Sequence, residues 1–504
     1  MRMRGLSIIL GCLLAGLFSM DLPAQSPHPY LIMDFAEKDF QKALDLCHQG
    51  GFEYLLHRYP FSTYGHYLWN PEFATEGDAS VARMVQEAES EGIHLGIYIQ
   101  ADAISVNDAF FAPRYYKQLR PQGEVSLFDD ISLEQPDMAI YRTAVLDVPS
   151  SLNLLLIDDE MIVYGTMEPA SDLMLLHQLK RGAYGTKVAA HRKNTHAYKL
   201  ADDPGRFVFP DGALKDSVRS HLDRRILAAG ISFTEYTFNE GNTLLNEAQR
   251  IQNVERWNKE YERLEGKAMM LGWLPIHGSG RVQQSTTIED VEWMLSKSAA
   301  YDAGYGMVVG QAVVRRYGQL GRIMDLACAW NDLRISGMLS EEQKEAMKDP
   351  YQDWHLERDD EGGFWLYPLY VSPRHICRFV EGENGLYVAG PWGWKREEEG
   401  SFGLRVYVEG KGEIQNPVVH IGDEELLFPC TVKANQFLVY DFDTLAYITD
   451  LEYNTIETVT PVGQALLPEG QTEVRFSCTF ANPRLAPKVS LRYLTREEPW
   501  LLTE

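Results

Sequence analysis

The chain has 504 residues, of which 45% are hydrophobic, and this length predicts two domains with an insertion rather than one core. Its 72 acidic and 47 basic residues give a net charge of −25. Phosphate backbones are bound by clustered Lys and Arg, so this balance argues against a general nucleic-acid surface.

The N-terminal segment has the pattern of a secretory signal peptide. Arg2 and Arg4 precede an apolar run from Leu6 to about Phe18, and Leu22-Pro23-Ala24 is a plausible cleavage site. We therefore expect residues 1–24 to be a signal peptide and the mature protein to be exported, to the periplasm or the cell exterior. No later segment approaches the roughly 18 consecutive apolar residues of a membrane span, so no span is expected.

Strand and helix patterns alternate from Tyr30 to about Gly310, which predicts a parallel sheet. The predicted strands are Tyr30–Asp34, Phe52–His57, Ile93–Ile99, Ile231–Phe238, Ala268–Leu274 and Gly306–Val309. The predicted helices are Asp39–Gln49, Ala79–Glu91, Gly212–Ala229, Leu244–Leu264, Ile288–Ala300 and Tyr317–Arg334. We interpret residues 27–352 as an α/β domain of the TIM-like (β/α) barrel type, incomplete in that fewer than eight strands are counted.

A stretch at about 143–200 lacks helical periodicity and interrupts this alternation. Two strand patterns surround a glycine-bracketed turn in the segment that contains Glu160, Arg181-Gly182-Ala183-Tyr184-Gly185-Thr186 and His191. The glycines suit tight turns with positive φ, and Glu160 and Arg181 can pair. The pattern predicts a small β module inserted beside the mouth of the barrel, with a mainly structural role.

From residue 353 to residue 504 the strand patterns are separated by turns rich in Gly, Pro and Asn, which predicts an all-β sandwich. The predicted strands are Phe364–Val371, Gly385–Ala389, Phe402–Glu409, Val418–Ile421, Glu424–Cys430, Phe437–Asp441, Thr472–Phe480 and Lys488–Tyr493. Trp392 and Trp394 suggest sugar binding by this domain, although a structural domain is an equal reading. Cys430 and Cys478 are either a disulfide or, as we prefer, two buried small hydrophobic residues.

Candidate functional residues are sought where barrel strands end, because side chains at those positions converge on one mouth. Sugar rings stack on aromatic residues, and their hydroxyls bind polar side chains. Cleavage of a glycosidic bond needs two carboxyl groups, and Glu240 with Asp102 is the best pair. The predicted substrate-binding residues are His57, Arg58, Tyr59, His66, Trp273 and His277.

Each of these residues also has a structural reading. Carboxylates at strand ends commonly cap helices, and loop histidines commonly bond to the backbone. The aromatic loop from Tyr59 to Trp69 can equally be packing over the end of the barrel. For Glu289, Asp290 and Glu292, which follow Thr286-Thr287, a capped helix N-terminus is the better explanation.

Several motifs together resemble secreted bacterial glycoside-hydrolase-like barrel proteins of polysaccharide-degrading systems, which carry a C-terminal β-sandwich. The motifs are Gly-Ile-His-Leu-Gly-Ile-Tyr-Ile at 92–99, Ile-Ser-Val-Asn-Asp at 104–108, Asp-Glu at 159–160, Arg-Gly-Ala-Tyr-Gly-Thr at 181–186 with His191, and Thr286-Thr287 with Lys297 and Tyr301-Asp302-Ala303. The resemblance implies a fourth strand that ends in an aromatic residue, then Asp-Gly and then Glu. In this chain the segment is Tyr236-Thr237-Phe238-Asn239-Glu240, so Glu240 is present and Thr237 replaces the Asp.

The leading hypothesis is an exported glycoside hydrolase that acts on a complex oligo- or polysaccharide. A polysaccharide lyase that uses Tyr59, His66 and Arg58 is the first rival, because a lyase takes a proton beside a uronate carboxylate. A non-catalytic glycan-binding protein on a degenerate barrel is the second rival, suggested by Thr237. No cofactor motif and no metal-ligand spacing is found, so no cofactor and no metal is expected.

Overall fold

The computed structural model describes residues 28–99, 103–111, 121–147, 153–200, 202–203, 206–208, 213–231, 233–235, 247–264, 269–278, 285–359, 362–396, 399–442, 444–464 and 466–502. These residues form a mixed α/β protein whose C-terminal region is all-β and sandwich-like. They fall into two compact units. The first contains the described residues up to Met33, Asp45–Tyr54 and those from Glu247 onward; the second contains Asp34–Leu44 and those from Leu55 to Glu235.

The helices are α1 (Phe40–Gly50), α2 (Asp78–Ser90), α3 (Ala213–Ala229), α4 (Glu247–Arg263), α5 (Ile288–Tyr301), α6 (Gln311–Arg316), α7 (Leu320–Ser336) and α8 (Glu341–Met347). The strands before α8 are β1 (Tyr30–Met33), β2 (Tyr54–His57), β3 (His94–Tyr98), β4 (Ala103–Ser105), β5 (Pro121–Ser126), β6 (Met138–Tyr141), β7 (Leu154–Ile157), β8 (Glu160–Val163), β9 (Thr166–Ala170), β10 (Leu173–His177), β11 (His196–Leu200), β12 (Asp202–Asp203), β13 (Arg206–Val208), β14 (Phe233–Glu235), β15 (Met270–Ile276) and β16 (Gly304–Val309).

The strands after α8 are β17 (Asp353–Arg358), β18 (Phe364–Val371), β19 (His375–Ile376), β20 (Val380–Glu381), β21 (Tyr387–Arg396), β22 (Gly400–Glu409), β23 (Glu413–Ile421), β24 (Glu424–Leu427), β25 (Thr431–Lys433), β26 (Gln436–Tyr440), β27 (Ala446–Thr449), β28 (Thr455–Val459), β29 (Val462–Gly463), β30 (Leu466–Leu467), β31 (Gly470–Phe480), β32 (Lys488–Arg496) and β33 (Trp500–Leu502). No helix among the described residues has both the length and the apolar character needed to cross a membrane.

In the first unit, β1, β16 and β15 pair as parallel strands, with β16 in the middle. Every residue of β16 is buried, as expected for a parallel strand that is covered on both faces. A side chain at Gly306 would meet Ile32, Tyr30 and Trp273 within 3.0 Å, so the strands can approach one another here only because this residue is glycine. The strands predicted at Tyr30–Asp34, Ala268–Leu274 and Gly306–Val309 correspond to β1, β15 and β16.

Helix α5 begins with a complete capping box. Thr287 accepts a hydrogen bond from the backbone N–H of Asp290, and the Asp290 side chain accepts one from the backbone of Thr287. The capped helix N-terminus expected for this sequence is therefore confirmed. Nearly all of α5 is buried, including the charged Glu292 and Lys297.

Lys297 ties α5 to the segment that leads into the sandwich. Its side chain is fully buried, and its ammonium group donates to the carbonyl oxygens of Met347, Asp349 and Gln352 at 2.6, 2.7 and 3.2 Å. Burial lowers its pKa to about 7, even though Asp353 favours the charged form. The three carbonyls satisfy all three donors of the ammonium group.

The all-β region consists of two antiparallel sheets. One has the main order β17-β18-β32-β22-β26-β27-β28 and the other β20-β21-β31-β23-β24-β29. Their inward residues form a continuous apolar core that includes Trp394 and Cys478, with Trp392 packed against it. The two tryptophans therefore have a packing role in this region. Cys430 and Cys478 are buried free thiols, as preferred from the sequence.

In the second unit, β14, β3 and β2 are neighbours in that order, and β14 pairs with β3 as a parallel strand. The stretch predicted as an insertion contains two antiparallel sheets, β5-β11-β7-β8 and β6-β10-β9, around an apolar core. Its strands begin at Pro121, before the expected boundary at about 143. The described strands of both units form unclosed sheets, and the closed barrel stays a prediction.

Candidate functional site

The two predicted catalytic carboxylates, Asp102 and Glu240, lie outside the described residues. The strands that precede them are described. Phe233 pairs with Gly96 and Glu235 with Tyr98, so β14 and β3 run in the same direction and end side by side. Asp102 comes four residues after Tyr98, and Glu240 comes five residues after Glu235.

His57, at the end of β2, is buried, with 2% of its surface exposed. Its ring stacks on Phe73 at a centroid distance of 3.9 Å, and its Nε2 donates to the carbonyl oxygen of Phe35 at 2.9 Å. Burial outweighs this hydrogen bond and lowers the pKa of His57 to about 4, so the ring is neutral at neutral pH. Its Nδ1 has no hydrogen-bond partner among the described residues.

Arg58 and Tyr59 lie at the beginning of the aromatic loop. The Arg58 guanidinium lies over the Tyr59 ring, 5.2 Å from its centroid, and Tyr59 is 45% exposed. An exposed aromatic ring beside a cation is an arrangement that suits a sugar ring with an anionic substituent.

Trp273 and His277 belong to the first unit. Trp273 lies in β15 and is 5% exposed. His277 follows β15, and its backbone N–H donates to the Thr286 hydroxyl at 2.9 Å while its carbonyl accepts from the Thr286 backbone N–H at 3.0 Å. These bonds join the backbone of His277 to Thr286, which lies two residues before α5.

Among the predicted site residues, His66 contacts an acidic, an aromatic and a second histidine side chain. Its Nδ1 lies 2.7 Å from Oδ1 of Asp108, and its backbone N–H donates to Oδ2 at 2.8 Å. The Asp108 side chain is 1% exposed, whereas that of His66 is 32% exposed. The His66 ring also stacks on Phe110 at 4.0 Å and meets the His221 ring edge-on at 4.8 Å.

This His66–Asp108 dyad forms because the aromatic loop pairs with the end of β4. The backbone N–H of Tyr64 donates to the Ser105 hydroxyl at 2.8 Å, and the backbone N–H of Ser105 donates to the Tyr64 carbonyl at 3.0 Å. Gly65 has a φ of +124°, and a Cβ there would lie 2.6 Å from Asp108 Oδ1. Only glycine allows this backbone conformation and leaves room for the carboxylate.

The aromatic loop itself is mostly a packed structure. Phe61, Tyr64, Tyr67 and Trp69 are all buried, and the Phe61 and Trp69 rings stack at 4.8 Å. Its exposed aromatic residue is Tyr59, while Leu68 is exposed among the aliphatic residues. The loop therefore works mainly as a scaffold that carries His66.

The dyad has the chemistry of an oriented histidine. A buried carboxylate that accepts from Nδ1–H fixes the ring and its tautomer, so Nε2 becomes the acceptor in the neutral ring. Such a nitrogen can bind a hydroxyl group or take a proton from carbon or oxygen. Asp108 lies in the Ile-Ser-Val-Asn-Asp motif and His221 lies in α3, and neither is predicted as a site residue, because both are far from His66 in the sequence.

The β module contains a second polar cluster, centred on Glu160. Its fully buried carboxylate accepts from Arg181 Nε and Nη2, both at 2.8 Å, from two backbone N–H groups, and contacts His191 Nε2 at 2.9 Å. Despite burial, these donors lower the pKa of Glu160 to about 2. The predicted Glu160–Arg181 pair is confirmed. Both oxygens of the Glu160 carboxylate have hydrogen-bond partners, so the cluster has a structural role.

Among the described residues, no group of three or more His, Cys, Asp or Glu side chains is arranged to hold a metal ion. The polar clusters of those residues are ion pairs and hydrogen-bond networks.

No family model matches the chain, and no curated protein matches its sequence. Among solved structures, the chain is similar to a noncanonic maltogenic α-amylase from Thermotoga neapolitana, with 8% identity, a TM-score of 0.32, and coverage of 89% of this chain and 99% of that one. An α-galactosidase from Lactobacillus brevis has 11% identity and a TM-score of 0.32, and the match spans 91% of this chain but only 56% of the galactosidase. An α-amylase from Geobacillus thermoleovorans has 9% identity and a TM-score of 0.32, with 90% and 99% covered. At TM-scores this low we infer neither fold nor function from these likenesses.

Proposed function

We propose that this protein is an exported glycoside hydrolase that acts on a complex glycan, with a TIM-like (β/α) barrel as its catalytic domain. The observation that carries the proposal is the in-register parallel pairing of β3 and β14. In parallel sheets, functional side chains gather where the strands end. Because neighbouring strands are about 4.8 Å apart, the chain segments that lead to Asp102 and Glu240 start side by side.

Two carboxyl groups that start from adjacent strand ends suit glycosidic bond cleavage. One protonates the leaving oxygen, and the other acts as nucleophile or activates a water molecule. Glu240 is the leading member of the pair, since Thr237 replaces the Asp that the resemblance implies. Arg58, Tyr59 and His66 are proposed to bind the sugar, with His57, Trp273 and His277 as further predicted contacts.

A turnover screen tests this proposal. Wild type, Glu240→Gln and Asp102→Asn are incubated with plant, algal and host glycans, and reducing ends are quantified. Glu168→Gln, at a 73% exposed position of β9, is the control. We expect Glu240→Gln to lose activity by about 10²-fold or more while Glu168→Gln retains most of it. Unchanged hydrolysis in Glu240→Gln would rule the assignment out.

A polysaccharide lyase is the second candidate, and the His66–Asp108 dyad favours it. A lyase removes the proton beside a uronate carboxylate, and an oriented His66 Nε2 is suited to accept that proton. Arg58 would neutralise the carboxylate, and the exposed Tyr59 would contact the ring. Glu240 is not needed for this chemistry.

The product distinguishes the two reactions. Elimination gives an unsaturated sugar that absorbs in the ultraviolet, whereas hydrolysis gives a reducing end without that absorbance. A lyase would lose activity in His66→Gln and keep it in Glu240→Gln. A hydrolase would lose more activity in Glu240→Gln than in His66→Gln. Glycan binding without either product, across the whole panel, would identify a non-catalytic binding protein.

A further inference from the structure

A cavity of about 710 Å³ lies within the first unit, and none of the residues assigned a role above lines it. It is open to solvent and is bordered by α1, by α7, by β17 at the start of the sandwich, by the chain from the end of β26 into β27, and by the end of β32. Its size falls within the roughly 300–1,000 Å³ of typical small-molecule sites. The charged side chains that line it are Arg322, Asp325, His355, Glu357, Arg358, Asp441 and Arg496.

The cationic side chains of this cavity outnumber its carboxylates. Arg322, Arg358 and Arg496 are permanently charged, and His355 is held protonated by two carboxylates. Burial opposes the charge on His355, but Glu292 and Glu357 outweigh it and raise its pKa to about 9. Four cations and three carboxylates thus line the cavity, and two of the cations also pair with carboxylates outside the lining, Arg358 with Asp332 and His355 with Glu292.

Two of the three carboxylates already have two cationic partners each. Asp441 pairs with Arg322 and with Arg405. Glu357 pairs with Arg496 and with His355. Their negative charge is therefore compensated within the protein, and it repels an anion in the cavity only weakly.

Two of the arginines that line the cavity keep unused hydrogen-bonding capacity. Arg322 bonds Asp441 through Nη1, and Arg358 bonds Asp332 through Nη1. Their side chains are 42% and 48% exposed, and their Nε and Nη2 groups have no hydrogen-bond partner among the described residues. A guanidinium group presents paired N–H donors that match a carboxylate or sulfate group.

The same cavity has two aromatic side chains, Phe442 and Tyr447. Phe442 has a φ of +62°, an unfavourable conformation for a bulky residue, and the Arg496 guanidinium lies 5.0 Å from its ring centroid. Strained non-glycine residues of this kind concentrate at ligand sites. Aromatic side chains in the same cavity as unbonded guanidinium N–H groups match the apolar face and the charged group of a saccharide.

We propose that this cavity binds a short anionic saccharide, whose carboxylate or sulfate groups are held by Arg322 and Arg358 and whose rings contact Phe442 and Tyr447. The choice of a saccharide rests on the proposed function. The residues that line the cavity include none that is proposed for catalysis, so the saccharide would be bound there and not cleaved.

The cavity carries its own reporter, Cys328. This thiol lines the cavity and is partly exposed, whereas the other described cysteines are buried. A ligand in the cavity should therefore slow its alkylation. The native full-length protein is treated with iodoacetamide in the presence of trigalacturonate, a sulfated trisaccharide or maltotriose, and Cys328 labelling is followed by peptide mass spectrometry.

We expect one or both anionic saccharides to slow Cys328 labelling at least about fivefold and maltotriose to have no effect. The saccharide that slows Cys328 labelling shows whether the cavity recognises a carboxylate or a sulfate group. Arg358→Gln should remove the protection and Arg358→Lys should retain part of it, with Arg263→Gln, an exposed arginine of α4 paired within its own helix, as the control. Equal protection by maltotriose, no protection by either anion, or full protection in Arg358→Gln would overturn the proposal.

The glycan turnover assay separates this inference from the proposed function. Protection of Cys328 without any glycan turnover would support the cavity and count against the enzyme. Turnover without protection would support the enzyme and overturn the cavity. Arg358→Gln should leave the turnover of a neutral glycan unchanged, because Arg358 has no proposed part in catalysis.

Discussion

Asp108 holds His66 through both of its carboxylate oxygens. Oδ1 lies 2.7 Å from Nδ1 of the ring, and Oδ2 accepts the backbone N–H of the same residue at 2.8 Å. Oδ1 also accepts the backbone N–H of Phe110 at 2.9 Å, so the carboxylate organises its own loop as well. The orientation of the His66 ring is thus coupled, through Asp108, to the backbone of His66 and to the backbone of Phe110.

Removing the charge of Asp108 should reduce activity more than binding. Asp108→Asn keeps the shape of the side chain but weakens the orientation of the ring, so we expect kcat to fall by about 10- to 100-fold. His66→Gln should cost about 10²–10⁴-fold if His66 transfers a proton, and only a few-fold in KM if it binds a hydroxyl group. Steady-state kinetics of both variants on a responsive glycan distinguishes these roles.

A side chain at Gly65 should displace the dyad. Gly65→Ala places a Cβ 2.6 Å from Asp108 Oδ1 at a φ of +124°, so we expect a loss of about 1–3 kcal/mol in the free energy of unfolding together with reduced activity. Gly92→Ala is the control, because Gly92 also has positive φ but nothing within 4 Å of the added atom. If urea unfolding shifted equally in the two variants, steric conflict with Asp108 would be excluded as the cause.

Breaking the Glu160 cluster should destabilise the β module. Glu160→Gln removes the buried partner of Arg181 and His191, and removing one partner of a buried ion pair costs about 3–5 kcal/mol. Glu168→Gln, at a 73% exposed position of β9, should cost almost nothing. Chemical denaturation of the two variants measures the difference, and similar midpoints would contradict the structural role.

The cluster should also weaken in acid. The folded pKa of Glu160 is lowered to about 2, below its usual value near 4.5. The stabilisation is therefore present above about pH 4.5 and is lost as the pH falls toward 2. Glu160→Gln should show a flatter dependence of unfolding free energy on pH over this range than the wild type.

His355 should make the first unit sensitive to alkali. Its folded pKa is raised to about 9, chiefly because the Glu292 carboxylate opposes the effect of burial. A raised pKa stabilises the fold fully below the unfolded value of about 6.5 and loses that contribution as the pH rises through 9. His355→Gln should abolish this alkaline decline, whereas His94→Gln, at the exposed start of β3, should not. A decline of equal size in His355→Gln would assign it to another group.

Local patterns in the sequence predicted many elements well. Phe364–Val371 has the same bounds in prediction and structure, because apolar residues continue without a break between turn signals. The capping box at Thr287 and Asp290 was likewise recognisable from residue types at fixed spacing. The strand predicted to end at Ala389 continues to Arg396, since a bulge carries it past Pro391, which lacks a backbone N–H.

Contacts between distant loops could not be predicted in the same way. Asp108 and His66 are 42 residues apart, and no periodicity relates the loops that bring them together. Strand β5 is not predicted, because its residues 121–126, Pro-Gln-Gly-Glu-Val-Ser, lack both alternation and β-branched enrichment. Packing, rather than local preference, determines these parts of the fold.

The fully buried Lys297 has a practical consequence for dividing this protein into fragments. Its three carbonyl partners end at Gln352, and the next residue, Asp353, pairs with Arg250 at 2.7 Å. Beyond it, the backbone N–H of Leu356 donates to the buried Glu292 of α5. A truncation at residue 352, where the sequence composition changes, would expose α5 and leave Arg250 and Glu292 without these partners. The helices before that point and the first strand after it share one interior, so the two parts should be expressed as a single piece.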